Sequence, residues 1–185
     1  VEEGGMKIKV ISLWNPWAFA MWAGLKQYET RSEKFVAMSG LRNYSGWLGI
    51  HAAKMFWLKA IDRSMEGAPI EERKAFAMEM ILRLDDAPID KGDHGVLGGI
   101  CRFSGIYQTQ QIEPKLSEME RFFGNYAPGR RAIFCPGMVR LPAPIPMRGY
   151  QRAWNWEVTP EVELLLKAQD GFIRMSPNID PEVRK

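Results

Sequence analysis

Hydrophobic positions along this chain change period several times, and each change marks an element. Residues 7–13, Lys-Ile-Lys-Val-Ile-Ser-Leu, alternate imperfectly and are β-branched in the middle, which predicts a first strand with a buried face. A short helix follows. Asn15 can cap it, Pro16 suits its first position, and Trp17, Ala20, Met21 and Gly24 recur at helical spacing before glycine ends the run. Residues 28–32 are expected to be extended and the stretch up to 45 to be loop. Residues 46–52 read as a buried strand, with Gly46 and Gly49 where backbones approach closely.

Residues 56–64 and 71–84 read as helices, the second with Phe76, Ala77, Met80, Ile81 and Leu84 on one face. Asp85, Asp86, Ala87 and Pro88 stop it. Pro88, Gly92 and Gly95 mark the next segment as a polar loop, so Asp90, Asp93 and His94 are read as loop residues and not as metal ligands. Residues 96–107 form the longest strand-like run, in which Gly98 and Gly99 predict a bulge or bend. A short helix is expected over 114–123, then strands over 131–140, 145–147 and 153–158, with Pro142, Pro144 and Pro146 placing the middle piece on a sheet edge. Thr159, Pro160 and Glu161 open a last helix that buries Val162, Leu165 and Leu166. About six short strands interrupted by helices, in no alternating order, favour an α+β fold built on a small mixed β-barrel. A Rossmann-type sheet is disfavoured, because the chain has no glycine-rich strand-to-helix fingerprint.

A length of 185 residues with 46% hydrophobic composition fits one domain. It is expected over residues 6–170, with a helical insert at about 56–93. Residues 1–5 are expected to be a disordered tail or an appended remnant, and 171–185 a Pro- and charge-rich C-terminal tail. No apolar run is long enough for a membrane span. Cys101 and Cys135 supply no disulfide framework, and His51 and His94 add too few ligands for a Cys/His zinc site. The chain therefore reads as cytoplasmic, with neither metal nor cofactor.

The net charge of +3 names no partner, but its distribution does more. Residues 7–63 carry nine Lys/Arg against Glu29, Glu33 and Asp62, and residues 121–156 carry six Arg and no Asp or Glu. Arginine offers a fork of donors suited to phosphate, and the interleaved aromatics offer stacking surfaces for bases. A solvated basic surface is the alternative.

The sharpest local feature is Gly24-Leu25-Lys26-Gln27-Tyr28-Glu29-Thr30-Arg31. On an extended segment Glu29 and Arg31 share a face and Thr30 takes the other, while Lys26, released after Gly24, can fold over the first face. An ammonium, a carboxylate and a guanidinium beside an apolar helix are costly unless they pair or meet a polar ligand. The cluster is thus either a salt-bridge network pinning helix to strand or a ligand site. Trp154 and Trp156 share a strand face, where core packing is expected over base stacking. Arg148, Gln151 and Arg152 flank a glycine turn and are candidates for an exposed contact. Cys135, before Pro136, carries no nucleophile motif and is read as packing.

Three runs together resemble the ASCH domain of the PUA-like superfamily: Ser12-Leu13-Trp14-Asn15-Pro16-Trp17, then Gly24-x-Lys26-x-x-Glu29-x-Arg31, then Gly49-Ile50-His51-Ala52-Ala53-Lys54. Residues 96–100, 144–146 and 149–156 resemble that family's later strands in order, so the likeness spans roughly 8–158. The resemblance implies a PUA-like barrel with a cleft between barrel and first helix, suited to RNA, another nucleic acid or a modified nucleoside. Lys26, Glu29 and Arg31 would line it, with Trp14, Trp17 and His51 nearby and Lys54, Arg148, Gln151 and Arg152 as further binding candidates. His51 is read either as a hydrogen-bonded core histidine or as a cleft contact.

Some members of the superfamily hydrolyse N4-acylated cytidine, with a threonine nucleophile three residues after a lysine. Here Glu29 holds that place and Thr30 follows, and a one-residue displacement on a strand turns a hydroxyl to the opposite face. If the protein is an enzyme, Lys26 and Glu29 would be its catalytic pair in a metal-independent amide hydrolysis, although a carboxylate held by two cations makes a weak base. A nucleic-acid-binding module is the leading expectation and an amidohydrolase the alternative. The insert is a candidate surface for a protein partner that the sequence does not name.

Overall fold

Both faces of β1 (Lys7–Leu13) are buried: Ile8 and Val10 point to one side, Ile11 and Leu13 to the other. Such a strand belongs inside a sheet. It lies between β3 (Gly46–Ala52), which runs parallel to it, and β8 (Ala153–Glu157), which runs antiparallel. The computed structural model describes residues 5–84 and 94–175, the side chains of 172–175 excepted. The tail up to residue 4, the loop with Asp90 and Asp93 and the chain after 175 lie outside the described residues.

Between β1 and β3 come α1 (Trp17–Trp22), β2 (Tyr28–Ser32) and α2 (Glu33–Ser39). After β3 follow α3 (Trp57–Ser64), α4 (Ile70–Arg83), β4 (Val96–Phe103), β5 (Ile106–Gln108), α5 (Thr109–Ile112) and a 3-10 turn at Glu113–Lys115. Then come α6 (Glu118–Phe123), β6 (Arg130–Phe134), β7 (Val139–Pro146), β8 and α7 (Pro160–Met175). The architecture is α+β, with a five-stranded mixed sheet in the order β7-β4-β3-β1-β8 and a three-stranded antiparallel sheet in the order β2-β6-β5. Among the described residues the strands divide between these two sheets and do not form one continuous ladder.

Side chains from the inner face of the large sheet, including Ile11, Leu13, Leu48, Ile50 and Cys101, meet Phe19 and Trp22 of α1 and Ile133 of the small sheet. On the opposite face Ile8, Val10, Leu97 and Ile100 meet Val162 and Leu166 of α7. Gly98 and Gly99 make a seat for Trp22: a Cβ on either would fall 2.6 Å and 2.8 Å from its ring. The indole Nε1 then donates to Ile50 O at 3.0 Å, and the β4–β7 register shifts between Leu97 and Gly99. The bend expected there exists because a tryptophan replaces the missing side chains.

Several elements differ from the sequence reading. Residues 33–39 form α2, not loop: the Ser32 hydroxyl accepts from Phe35 N–H at 3.2 Å, Glu33 sits in the first turn, and Gly40 closes the helix at φ 68°. The run 96–107 divides at Gly105, so that β5 joins the other sheet. The run 131–140 also divides, giving β6 to the small sheet, while 139–146 becomes the single strand β7 at the edge of the large one, where prolines leave no ladder donor wanting. Asn15 does not cap α1; Pro16 holds that position and Asn15 is buried. On α4, Ile81 is exposed while Ala77, Met80 and Leu84 are buried. The last helix runs to Met175, past residue 171 where the tail was expected to begin. Among the described residues no helix is long and apolar enough to cross a membrane.

Candidate functional site

Strand β2 leaves α1 through the turn at Gly24 and is fastened from behind by a buried carboxylate. Glu120 of α6 accepts from Gln27 N–H at 2.7 Å, from Tyr28 N–H at 3.1 Å and from the Tyr126 hydroxyl at 2.7 Å. Burial beside Glu120 raises the Tyr126 phenol well above its ordinary range, so it remains a donor. With β2 held this way, Glu29 and Arg31 project from the same face. Arg31 Nε lies 2.8 Å from Glu29 Oε1, and Lys26 Nζ lies 3.4 Å from Glu29 Oε2 and also donates to Tyr28 O. Lys26 and Glu29 are almost fully buried, at 2% and 8% exposure. Both Glu29 oxygens are thus committed to cations.

Thr30 turns the other way, and its hydroxyl accepts from Asn125 N–H at 3.3 Å. Arg130 donates through Nη2 to Thr30 O at 3.0 Å and through Nε to Asn125 O at 3.1 Å. Burial lowers the Arg130 guanidinium from its ordinary value.

The cluster opens into a cavity of about 480 Å³. Its walls include Trp14, Trp17, Lys26, Glu29 and Arg31, and its roof comes from far along the chain: Ser64 and Met65 at the end of α3, Phe76 of α4, and Phe122 and Phe123 of α6. The Phe76 and Phe122 rings lie 5.0 Å apart. A second cavity of about 1090 Å³ adjoins it, sharing Ser12, Trp14 and Arg31, and continues past His51 and Lys54 to Arg148, Gln151 and Arg152. Arg31, Lys54, Arg148 and Arg152 line it and, among the described residues, no carboxylate does.

All the site residues expected from sequence therefore border one cavity or the other, with Trp14 and Arg31 at the junction. Their environments differ. Arg63 of α3 sits 5.7 Å over the Trp14 ring and occupies one face of it, while Trp17 is partly buried among three hydrophobic clusters. His51 is 1% exposed, with Nδ1 2.8 Å from Ser12 Oγ and Nε2 3.2 Å from Met147 O. Burial lowers its pKa from the ordinary value, so the neutral imidazole is favoured. Trp154 packs edge-on against His51, with centroids 5.7 Å apart, and both Trp154 and Trp156 pack onto the core. Arg152 holds a left-handed backbone at φ 66°, uncommon for a residue with a side chain.

Sequence reasoning missed Ser12, Arg130, the phenylalanine roof and Glu120. Arg130 had a signal in the acid-free arginine run, and Ser12 had one in its place within the first motif. Among the described residues no group of three or more His, Cys, Asp or Glu side chains could hold a metal ion.

Fold and site together define an α+β domain with a buried Lys-Glu-Arg cluster opening to a cationic groove. No protein-family model matches the chain, and no curated protein matches it. Among solved structures it is similar to the crystal structure of ASCH from Zymomonas mobilis, at 15% identity and TM-score 0.44, covering 85% of this chain and 93% of that one. Two single-substitution variants of that protein match at 16% identity and TM-score 0.45, each covering 86% of this chain.

Proposed function

We propose that the protein binds single-stranded RNA or a modified nucleotide, with one base entering the smaller cavity and the adjoining phosphates lying in the larger one. The observation that carries this reading is the junction: two differently lined cavities meet at Ser12, Trp14 and Arg31. The smaller one has an apolar roof and offers donors and an acceptor at Lys26, Arg31 and Glu29, the complement of a base edge. The larger one presents four cations and, among the described residues, no carboxylate, the complement of a phosphate track.

Amide hydrolysis with Glu29 as base is less well supported, because each of its oxygens faces a cation. A titration of a fluorescent single-stranded RNA at several salt concentrations tests the binding reading. Lys54→Ala and Arg152→Ala are each expected to weaken binding and to shallow the salt slope by about 0.7, the value for one phosphate contact on a single strand. Binding and slope unchanged in both variants would overturn the assignment of the larger cavity.

A further inference from the structure

At the junction of the two cavities a serine and a histidine stand side by side. Ser12 of β1 and His51 of β3 are register partners across the parallel pair, so their side chains leave the sheet on the same face. A carbonyl can only accept, so the contact with Met147 O at 3.2 Å requires the proton on His51 Nε2. Nδ1 then has a free lone pair, and at 2.8 Å it accepts the Ser12 hydroxyl proton. The serine hydroxyl is thus held against a base, and the base is oriented from behind by a third group.

Ser12 borders both cavities, whereas His51 borders only the larger. Gly149 lies over the pair so closely that a Cβ there would fall 2.4 Å from His51 Cε1 and 2.8 Å from Ser12 Oγ. The Ser12 carbonyl receives Arg31 Nη2 at 2.8 Å, which brings a guanidinium to the nucleophile's own residue.

We propose that Ser12 and His51, with the Met147 carbonyl as orienting group, form a nucleophilic centre that hydrolyses a carboxylic ester on the sugar of a bound nucleotide. The substrate class rests on the binding reading above: between a base in one cavity and a phosphate in the other lies the sugar, and of the three residues that border both cavities, Ser12, Trp14 and Arg31, Ser12 is the one with a hydroxyl. In the first step Ser12 Oγ forms a bond to the acyl carbon while its proton passes to His51 Nδ1. The bond from acyl carbon to sugar oxygen then breaks, and that oxygen takes the proton from Nδ1. Water next attacks the acyl-serine as His51 accepts its proton, and Ser12 recovers that proton as the carboxylic acid leaves. Ester and water are consumed, and alcohol and acid are produced. Among the described residues, the charged groups sharing the cavity with His51 are Arg31 from β2, Lys54 after β3, and Arg148 and Arg152 from the loop before β8.

The test follows acetate release from 2′(3′)-O-acetyladenosine 5′-monophosphate and from its unphosphorylated counterpart, with RNA binding measured on the same preparations. Faster release from the phosphorylated ester is expected, with a loss of about 10²–10⁴-fold in both Ser12→Ala and His51→Gln. The rate should rise with pH to a plateau reached below the ordinary histidine range. Labelling of the parent protein by a fluorophosphonate, read by peptide mass, should fall on Ser12, and this holds even if a variant fails to fold. Undiminished turnover in folded Ser12→Ala, or fluorophosphonate label at another residue or at none, would overturn the proposal. Parent protein that binds RNA but cleaves neither ester would overturn the catalytic centre and leave the binding reading standing. Ester cleavage without RNA binding would do the reverse.

Discussion

Replacing Lys26 by methionine removes one charge from a nearly closed environment while keeping most of the side-chain volume. Lys26 Nζ and Glu29 Oε2 are 3.4 Å apart, which at an effective dielectric of about 20 corresponds to an attraction of about 5 kcal/mol. Two effects reduce the loss. Methionine no longer needs an ammonium to be desolvated, and Glu29 keeps Arg31 Nε at 2.8 Å. The expected net cost is about 2–3 kcal/mol, below the roughly 3–5 kcal/mol of leaving a buried charge wholly unpaired. For a chain of this length that lowers Tm by about 5–10 °C.

The companion double variant Lys26→Met with Glu29→Met removes the pair together, and Arg31, partly exposed, can turn its charge to water. It should be more stable than the lysine variant alone, with a coupling of about 0.5–3 kcal/mol, yet bind RNA no better than that variant. Thermal and urea unfolding of parent, singles and double provide the cycle. A lysine variant as stable as the parent, or a double variant less stable than both singles, would show that Lys26 does not stabilise the fold through Glu29.

Glu120→Gln leaves one acceptor oxygen where a carboxylate served two backbone donors and a phenol, so it should cost about 2–4 kcal/mol in urea unfolding and weaken RNA binding by loosening β2. Stability unchanged would show that β2 is held by other means. Because burial depresses the folded His51 pKa, the unfolded chain binds the proton first as pH falls; the stabilisation is complete above about 6.5 and is lost as pH drops toward the lower folded value. The Tm advantage of the parent over His51→Gln should therefore shrink below pH about 6.5, and an advantage that widens there would reverse the sign assigned to burial. Arg152→Gly relieves a positive-φ backbone, so Tm should hold or rise while RNA affinity falls; a fall in Tm with affinity intact would remove Arg152 from the phosphate track.

What the sequence made legible was local. The Gly24–Arg31 motif could be read because a strand fixes which of three adjacent side chains share a face, and the observed ion pairs follow that alternation. The edge placement of the proline-bearing strand was readable for a similar reason, since a missing N–H is a property of the residue itself. Helix α2 was missed although its cap, its acidic first turn and its closing glycine all stand in the sequence, because the segment lacks a long apolar stripe to draw attention.

Other features depended on tertiary arrangement. The strand runs 96–107 and 131–140 look continuous in hydrophobicity, but each is shared between two sheets, a division that only packing decides. The roof of the smaller cavity brings Phe76 together with Phe122 and Phe123, and the junction exists only because β1 and β3 pair in a register that sets Ser12 beside His51. No spacing along the chain encodes either meeting.

The most direct measurement is a crystal structure of the protein soaked with adenosine 5′-monophosphate. The base is expected under Phe76 and Phe122 against Lys26, Glu29 and Arg31, with the phosphate among Lys54, Arg148 and Arg152. A nucleotide bound elsewhere, or both cavities empty at saturating nucleotide, would contradict this placement.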